Sequence, residues 1–426
     1  RYDLGSLGWD YLGQGKNETD LVNAAKEWDL DAKADMWRLP AMYVGNYAER
    51  DAELTFNLWK EMTKEIWSQD LESIFILERD LFPCLVDMRF LGVRVDVQKA
   101  HKLKKQLASE EEDLLLKVKK ETGIDTQIWA ARSIEKVFQK LNLSYERTAK
   151  SGEPSFTKNF LSNHEHPIIQ KIAEARKINK INTTFIDTIL KHEHKGRIHA
   201  EINQIRSDDG GTITGRFSYA NPNLQQIPAR NKELGPLIRS LFIPEEGCKW
   251  GVFDYSQQEP RLVVHYAALS QLQGVSRIVD EYNQGDADFH QAVAEMADID
   301  RKDAKTINLG LMYGMGKNKL MAELGLLVEQ AEKLLKKYHE RAPFVKQLID
   351  AVSRRAQERG RIRTIGGRIC HFDLWEPSSF GIHKPLPHAD ALAEHGPGIK
   401  RAFTYKALNR LIQGSAADMT KISMVN

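Results

Sequence analysis

The chain has 426 residues, 42% hydrophobic and 28% charged, an ordinary globular mix too long for one hydrophobic core. No apolar run reaches the roughly 18 residues of a membrane span, and no signal-like stretch opens the chain. Cys84, Cys248 and Cys370 lie far apart without CxxC spacing, which excludes disulfide scaffolds and zinc ribbons and suits a reducing compartment. Lys plus Arg (61) nearly balance Asp plus Glu (59), for a net charge of +2, but unevenly. Residues 1–80 hold 9 basic and 17 acidic side chains, a net of −8; residues 301–363 hold 15 and 7, a net of +8. A basic segment can bind a polyanion without a basic whole, although a charge run alone is more often a solvated helical face. The chain opens on Arg1 and closes on Asn426 inside a helical pattern, so a longer parent protein is expected.

In chain order, residues 1 to about 75 read as short helices rich in Asp and Trp, ending in a clear helical stretch over 47–64. Residues from about 76 to 199 are mostly helical. There Leu103, Leu107, Leu114 and Val118 fall on one stripe with Lys and Glu opposite, which predicts a long amphipathic helix. From about residue 196 the character changes. RIHAEINQI (197–205) reads as strand, residues 208–228 as a loop rich in Gly, Thr, Asn and Pro, and strands then alternate with helices. Residues 377–398, rich in Pro and His, read as a long surface insertion. Neither internal repeats nor low-complexity segments are present.

Residues 249–253 (KWGVF) fit a buried strand, and Asp254 follows at once. Pro260 suits the first turn of a helix, so DYSQQE (254–259) is a strand-to-helix junction. A carboxylate there, beside exposed backbone carbonyls, has good geometry for holding Mg²⁺ against a phosphate. Taken alone, Asp254 reads better as a helix cap. Downstream, RKDAKTINLGLMYG (301–314) places Arg301, Lys305, Leu309 and Tyr313 four apart on one drifting helical stripe, with Ala304, Ile307 and Leu311 on another face. Two cations followed by an apolar contact and an aromatic ring would suit a nucleoside triphosphate. R-x3-K alone describes an ordinary surface helix equally well.

Together these motifs resemble the family A DNA polymerases, the bacterial DNA polymerase I type and especially its phage members. DYSQQE resembles their palm motif A, and RKDAKTINLGLMYG their motif B, the O-helix of the fingers. TITGRFS (212–218) and NPNLQQIP (221–228) resemble the T-x-T-G-R and D-P-N-L-Q-N-I-P segments that hold primer and template. NRLIQGSAAD (409–418) resembles the N-x-P-x-Q-G-x-A-A-D palm helix. Tyr47-x3-Asp51 resembles the third motif of the family's 3′–5′ proofreading exonuclease, though YxxxD alone is common.

The resemblance implies an α+β multidomain right-hand polymerase (thumb, palm and fingers) behind a partial, ribonuclease H-like 3′–5′ exonuclease domain. The expected order is an exonuclease remnant (1–75), a mainly thumb region (76–199), palm with motif A (200–268), fingers with motif B (269–370), the insertion (371–400), and returning palm (401–426). By carry-over, Asp254 would bind both Mg²⁺ ions, helped by the backbone carbonyl of Tyr255, and Tyr47 and Asp51 would serve the exonuclease, Asp51 as a metal ligand. Gln257 and Glu259 would line the nucleotide site, Glu259 as the steric gate against ribose. His290, Arg301 and Lys305 would grip the triphosphate, with Lys305 a candidate acid for the pyrophosphate leaving group. Tyr313 would stack near the templating base. Arg216, Asn223, Gln225, Arg230, Asn409 and Gln413 would line the primer–template minor groove, where acceptors common to every correct pair let donors check pairing without reading sequence. Each of these polar residues could alternatively cap a turn. The implied substrates are deoxynucleoside triphosphates and primed DNA, and the implied setting is a monomer in the cytoplasm of a phage host.

Two substitutions depart from the pattern: Leu309 stands where relatives have Phe or Tyr, and Tyr405 where the bacterial pattern has Arg. Two-metal catalysis also needs a second palm carboxylate, which the family carries in a His-Asp motif, and no His-Asp dipeptide occurs here. The first two exonuclease motifs should precede Tyr47, where too little chain lies. The expected parent is therefore a proofreading DNA polymerase of which this chain alone is inactive. A non-catalytic primer–template-binding fragment is the rival description. A single-subunit RNA polymerase shares the basic helix, but T-x-T-G-R and Glu259 argue against it.

Overall fold

The helical periodicities of the sequence become helices in a computed structural model that describes residues 2–148, 151–208, 210–228, 234–285, 288–312, 321, 324–379, 381 and 383–426. The backbone groups into two units: residues 1–84, 203–218 and 253–426 form the first, residues 85–202 and 219–252 the second. The first unit opens with α1 (Leu4–Leu12), α2 (Thr19–Glu27) and the 28-residue α3 (Ala41–Ser68), which contains the expected helix and extends beyond it at both ends. Leu21, Ala24, Ala25 and Leu39 make a small core there, with Tyr43 and Tyr47 packed against it. In α4 (Glu72–Leu91), residues to Cys84 belong to the first unit and the rest to the second.

In the second unit β1 (Val93–Arg94) leads into α5 (Val97–Thr122), which is capped by the Asp96 carboxylate accepting from Lys99 N at 2.9 Å. The predicted stripe is real: Leu103, Leu107 and Val118 are buried and Leu114 is half-buried. After α6 (Ala131–Lys140), the hairpin of β2 (Glu146–Arg147) with β3 (Pro154–Ser155), and α7 (Lys158–Ser162), that face meets α8 (Pro167–Ile181). A π-helical turn joins α8 to α9 (Asp187–His192). Then β4 (Glu193–His194) and β5 (Arg197–Ile198) complete a sheet of order β1-β5-β4. The strand expected over 197–205 is interrupted, resuming as β6 (Glu201–Asn203); β7 is Ser218–Ala220 and α10 is Leu234–Arg239.

Residues 249–253 form no strand, which corrects the expectation of a buried one. A strand is held by its ladder, and among the described residues none pairs with this run. Its apolar side chains therefore lie open, Val252 at 86% and Phe253 at 96% exposure.

The first unit resumes with α11 (Gln258–Leu269), α12 (Ser276–Asn283), α13 (Phe289–Ala297), α14 (Arg301–Met312), α15 (Val328–Arg341) and α16 (Pro343–Arg359). A hairpin of β8 (Arg361–Arg363) and β9 (Ile369–His371) follows. The expected insertion is folded: β10 (Leu374–Pro377), β11 (Leu386–Pro387) and β12 (Ile399–Arg401) make a sheet of order β11-β10-β12 carrying α17 (His388–His395). The 19-residue α18 (Ala407–Val425) ends the chain. Val263, Ile278, Phe289, Ala304, Ile307, Phe344, Leu408 and Ile412 share one core. Among the described residues no helix is long and apolar enough to cross a membrane.

Four charges meet inside this unit. Lys421 Nζ on α18 donates to Glu78 Oε1 on α4 at 2.7 Å, and Arg368 in the β8–β9 turn donates through Nε to Asp418 Oδ1 at 2.9 Å and through Nη2 to Glu78. Asp418 and Lys421 are fully buried. Lys421 also donates to the Gln204 carbonyl at 2.9 Å, and the Gln204 amide returns a bond to the Glu78 carbonyl at 2.6 Å, which fixes the start of the 203–218 segment. Burial alone would raise the Glu78 carboxyl, but Lys421 and Arg368 outweigh it and hold it below the ordinary 4.5. A carboxyl depressed on folding contributes stability above its unfolded value and loses that contribution as pH falls through the folded one. Glu78→Gln should cost roughly 3–5 kcal/mol at neutral pH by stranding Lys421. Its urea midpoint should also fall less steeply than the parent's below about pH 5. Equal acid slopes in the two proteins would rule Glu78 out as the coupled group.

Candidate active site

Asp254 is exposed at the approach to α11 and does not cap it; the cap position is Gln257, left-handed at φ 52°. Gln257 instead ties three helices. Its Oε1 accepts from Tyr282 Oη of α12 at 3.1 Å and from the Phe289 N–H opening α13 at 3.0 Å. Burial pushes the Tyr282 phenol up to about 12. Tyr255 shares a hydroxyl hydrogen bond with Ser423 of α18, and Gln258 donates to Ala416 O at 3.1 Å. A cavity of about 510 Å³ beside this junction is lined by Tyr255, Gln258, Arg261, His265 and Met419.

On α14 the stripe faces as the spacing predicts. Arg301 and Lys305 are exposed and Leu309 half-buried, while Ala304 and Ile307 are fully buried. Leu311 has no described side chain, and Tyr313 lies outside the described residues. Arg301 Nε donates to Asp288 Oδ2 at 2.9 Å, and the other Asp288 oxygen caps α13 by accepting from His290 N and Gln291 N at 2.9 and 3.1 Å. Burial would raise the Asp288 carboxyl, but Arg301 and these amides hold it below its usual range. Lys305 makes no ion pair among the described residues. His290 is nearly buried, and burial, aided by Lys305 and Arg301, lowers its pKa against the pull of Asp288, so the ring is neutral at pH 7. Its Nδ1 lies 3.2 Å from the Asn308 amide, and Asn308 Oδ1 accepts from Tyr338 Oη. The sequence reading missed Asp288, Asn308 and Tyr338; the readable signal was a polar Asn308 beside Ile307 on the inward face.

Close backbone approach shapes the region around residues 212–218. Gly215 in the TITGRFS loop is left-handed at φ 80°, and a Cβ there would meet Arg368 Nε at 2.7 Å. Next to it Arg216 forms an ion pair with Glu259, so the predicted groove-lining arginine and ribose gate are bonded to one another. Asn409 and Gln413 lie four apart on α18, half-buried, and neither side chain has a hydrogen-bond partner among the described residues. In the second unit Asn223 and Gln225 are exposed, and Asn223 does cap a turn, its Oδ1 accepting from Gln225 N at 3.1 Å. Arg230 lies outside the described residues.

At the front, Tyr47 and Asp51 share a face of α3 and meet a cation the sequence did not flag: Lys16 Nζ is 2.8 Å from Asp51 Oδ2 and 3.3 Å from Tyr47 Oη. Asp51 Oδ1 is buried with no hydrogen-bond partner among the described residues. Burial alone would lower the Lys16 pKa, but its bonds to Asp51 and Tyr47 prevail and raise it. Among the described residues, no three His, Cys, Asp or Glu side chains come together as a metal ion would require.

Gly414, in the QGSAAD run of α18, tests this close packing. A Cβ there would lie 2.7 Å from Thr364 Cγ2 and 3.3 Å from Thr214 O. Thr364 cannot rotate away, because its hydroxyl is bonded to Asp418 and accepts from Arg368 N at 3.0 Å. Although alanine favours helix by about 1 kcal/mol, Gly414→Ala should lower stability by roughly 1–3 kcal/mol, read as a reduced Tm. A raised Tm would show that the helix and loop are not in contact.

The sequence profile of DNA polymerase family A matches residues 97–426. The chain is 34% identical over 476 residues to a DNA-directed DNA polymerase of Pseudomonas phage M6, spanning 100% of this chain and 68% of that protein. It is 30% identical to DNA polymerase DpoZ of Acinetobacter phage SH-Ab 15497 (100% and 71%), and 31% identical to the thermostable DNA polymerase I of Thermus aquaticus (89% and 44%). The polymerase domain of Pol1 from M. smegmatis, solved in complex with DNA primer–template and dNTP, shares the fold with a TM-score of 0.74 at 24% identity, over 100% of this chain and 68% of that one. A profile match across more than half of the residues, phage relatives along the whole length and a mixed, mostly helical polymerase fold agree: the chain belongs to DNA polymerase family A.

Proposed function

We propose that this chain is the polymerising part of a DNA-directed DNA polymerase that adds deoxynucleotides to a primer 3′ end opposite a template. The observation that carries the reading is the α13–α14 pair, which presents His290, Arg301, Lys305 and Leu309 from two helices tied by Asp288. The nucleotide triphosphate is gripped by Arg301, Lys305 and His290, with Leu309 against the sugar and Tyr313 near the templating base. Lys305, exposed and unpaired among the described residues, is the acid for the departing pyrophosphate. Glu259, braced by Arg216, crowds the 2′ position, and Gln257 shapes the pocket from behind. Arg216, Asn223, Gln225, Arg230, Asn409 and Gln413 contact primer–template. The thumb (76–199), palm (200–268 and 401–426), fingers (269–370), insertion (371–400) and exonuclease remnant (1–75) follow the family order. That the M. smegmatis relative was solved with primer–template and dNTP supports both partners.

Mg²⁺ would supply charge stabilisation at the transferred phosphorus. Asp254 and the Tyr255 carbonyl suit one share of such an ion, but two ions need a further carboxylate, and the described residues bring no such cluster together. The donor set does not fit a two-metal centre by itself. Nor does Asp51 fit a metal as it stands, because Lys16 takes one oxygen. Proofreading is thus proposed for the parent enzyme only, and the 426-residue chain binds primed DNA without extending or trimming it efficiently. Primer extension by this chain and by a longer one carrying the parent's flanking sequence decides the matter. Equal rates would show that the second carboxylate lies within these residues.

Two substitutions separate the roles. Lys305→Ala should weaken dNTP binding in the ternary complex by roughly 10- to 100-fold, the worth of a hydrogen bond to a charged group, with primer–template affinity little changed. Parallel loss of both affinities would mark Lys305 as a DNA-backbone contact. In the parent polymerase, Glu259→Ala should raise ribonucleotide use relative to deoxyribonucleotide, read as a ratio of kcat/KM values. An unchanged ratio rejects the gate.

A further inference from the structure

We propose that Asn308, oriented by Tyr338, is a positioning residue that fixes His290 as its neutral Nε2–H tautomer, leaving that N–H to meet the triphosphate of the incoming nucleotide. The inference rests on the reading of His290 as a triphosphate contact and adds the machinery behind it. Asn308 and Tyr338 are both fully buried, beside an apolar core that includes Phe289, Ala304, Ile307 and Phe344. A primary amide in such surroundings is costly unless its polar atoms are used.

The hydrogen-bond chain has one consistent direction. Tyr338 Oη has no other hydrogen-bond partner among the described residues, so its buried proton goes to Asn308 Oδ1. That turns the Asn308 NH₂ toward His290 Nδ1, 3.2 Å away. Nδ1 must then offer its lone pair, and the single ring proton of the neutral imidazole sits on Nε2. Nε2 has no protein partner among the described residues, so the donor left over is the one a phosphate oxygen can use. Asp288 ties the same two helices at the start of α14, so both the place of the ring and the position of its proton are set from that helix. Without Asn308 the two neutral tautomers compete, and the Nδ1–H form presents a lone pair to an anion.

The test uses the 426-residue chain labelled with ¹⁵N-histidine, with His290 assigned by its loss in His290→Gln. In the unaltered protein its ring nitrogens should show a bare Nδ1 and a protonated Nε2. In Asn308→Leu, and in the gentler Tyr338→Phe should the first fold poorly, the signals should move toward a mixture of tautomers. Binding of the next correct dNTP to a complex whose primer ends in a dideoxynucleotide should weaken roughly tenfold in Asn308→Leu, about one hydrogen bond to a charged group. It should weaken no further when His290→Gln is added, since the two act through one contact. An unaltered protein showing Nδ1–H, or a tautomer unmoved in both variants, overturns the inference alone. Unchanged nucleotide affinity in His290→Gln overturns the triphosphate reading, and the functional half of the inference with it.

Discussion

Glu78, Arg368, Asp418 and Lys421 are a constraint before they are a source of stability. Two acids and two bases out of water tolerate no missing member, yet a well-packed apolar set could replace them at little cost. What they supply is selection of partners: only a chain path that brings α4, the β8–β9 turn and α18 together answers all four charges. Glycines make the meeting possible, since a Cβ at Gly215 would strike Arg368 and one at Gly366 would strike Asp418 at 2.8 Å. At Gly215 the TITGRFS loop thus packs directly against the Arg368 side chain. Arg216, one residue past Gly215, inherits its position from that packing.

The α13–α14 pair obeys a different logic. Its inward face is mostly apolar and its outward face charged, so burial sets the helix rotation and Arg301 and Lys305 follow. The polar ties refine that placement: Asp288 spends one oxygen on the α13 cap and the other on Arg301. An arginine already partnered by a carboxylate is a weaker anion trap than a bare one, whereas Lys305 has no such partner among the described residues. The two cations, equivalent by spacing, therefore differ in availability.

Local periodicity was legible in the sequence, and long-range pairing was not. The stripe Leu103–Leu107–Val118 and the inward Ala304 and Ile307 could be read because helical spacing alone decides which face is buried. The motif residues Arg216, Glu259, Arg301 and Lys305 could be named by resemblance, but not the ion pairs of Arg216 with Glu259 and of Arg301 with Asp288. The bond between Lys421 and Glu78 joins positions 343 residues apart, and nothing in either neighbourhood announces the other. Residues 249–253 show the converse failure. Their composition favours strand, but composition cannot supply a neighbouring ladder, and unpaired backbone takes its hydrogen bonds from water instead.

The same distinction separates the two carboxylates on which metal chemistry would rest. Asp254 stands in solvent, where an incoming cation need displace only water. Asp51 already has an ammonium at 2.8 Å, and its second oxygen is buried with no hydrogen-bond partner among the described residues. A divalent ion approaching Asp51 would meet Lys16 as a like charge, so binding there requires the lysine to swing away or lose its proton. Its raised pKa makes the second route harder. Residue identity alone, an aspartate in a family-like motif at each place, hides that difference; it is set by which cation the fold delivers to each carboxylate.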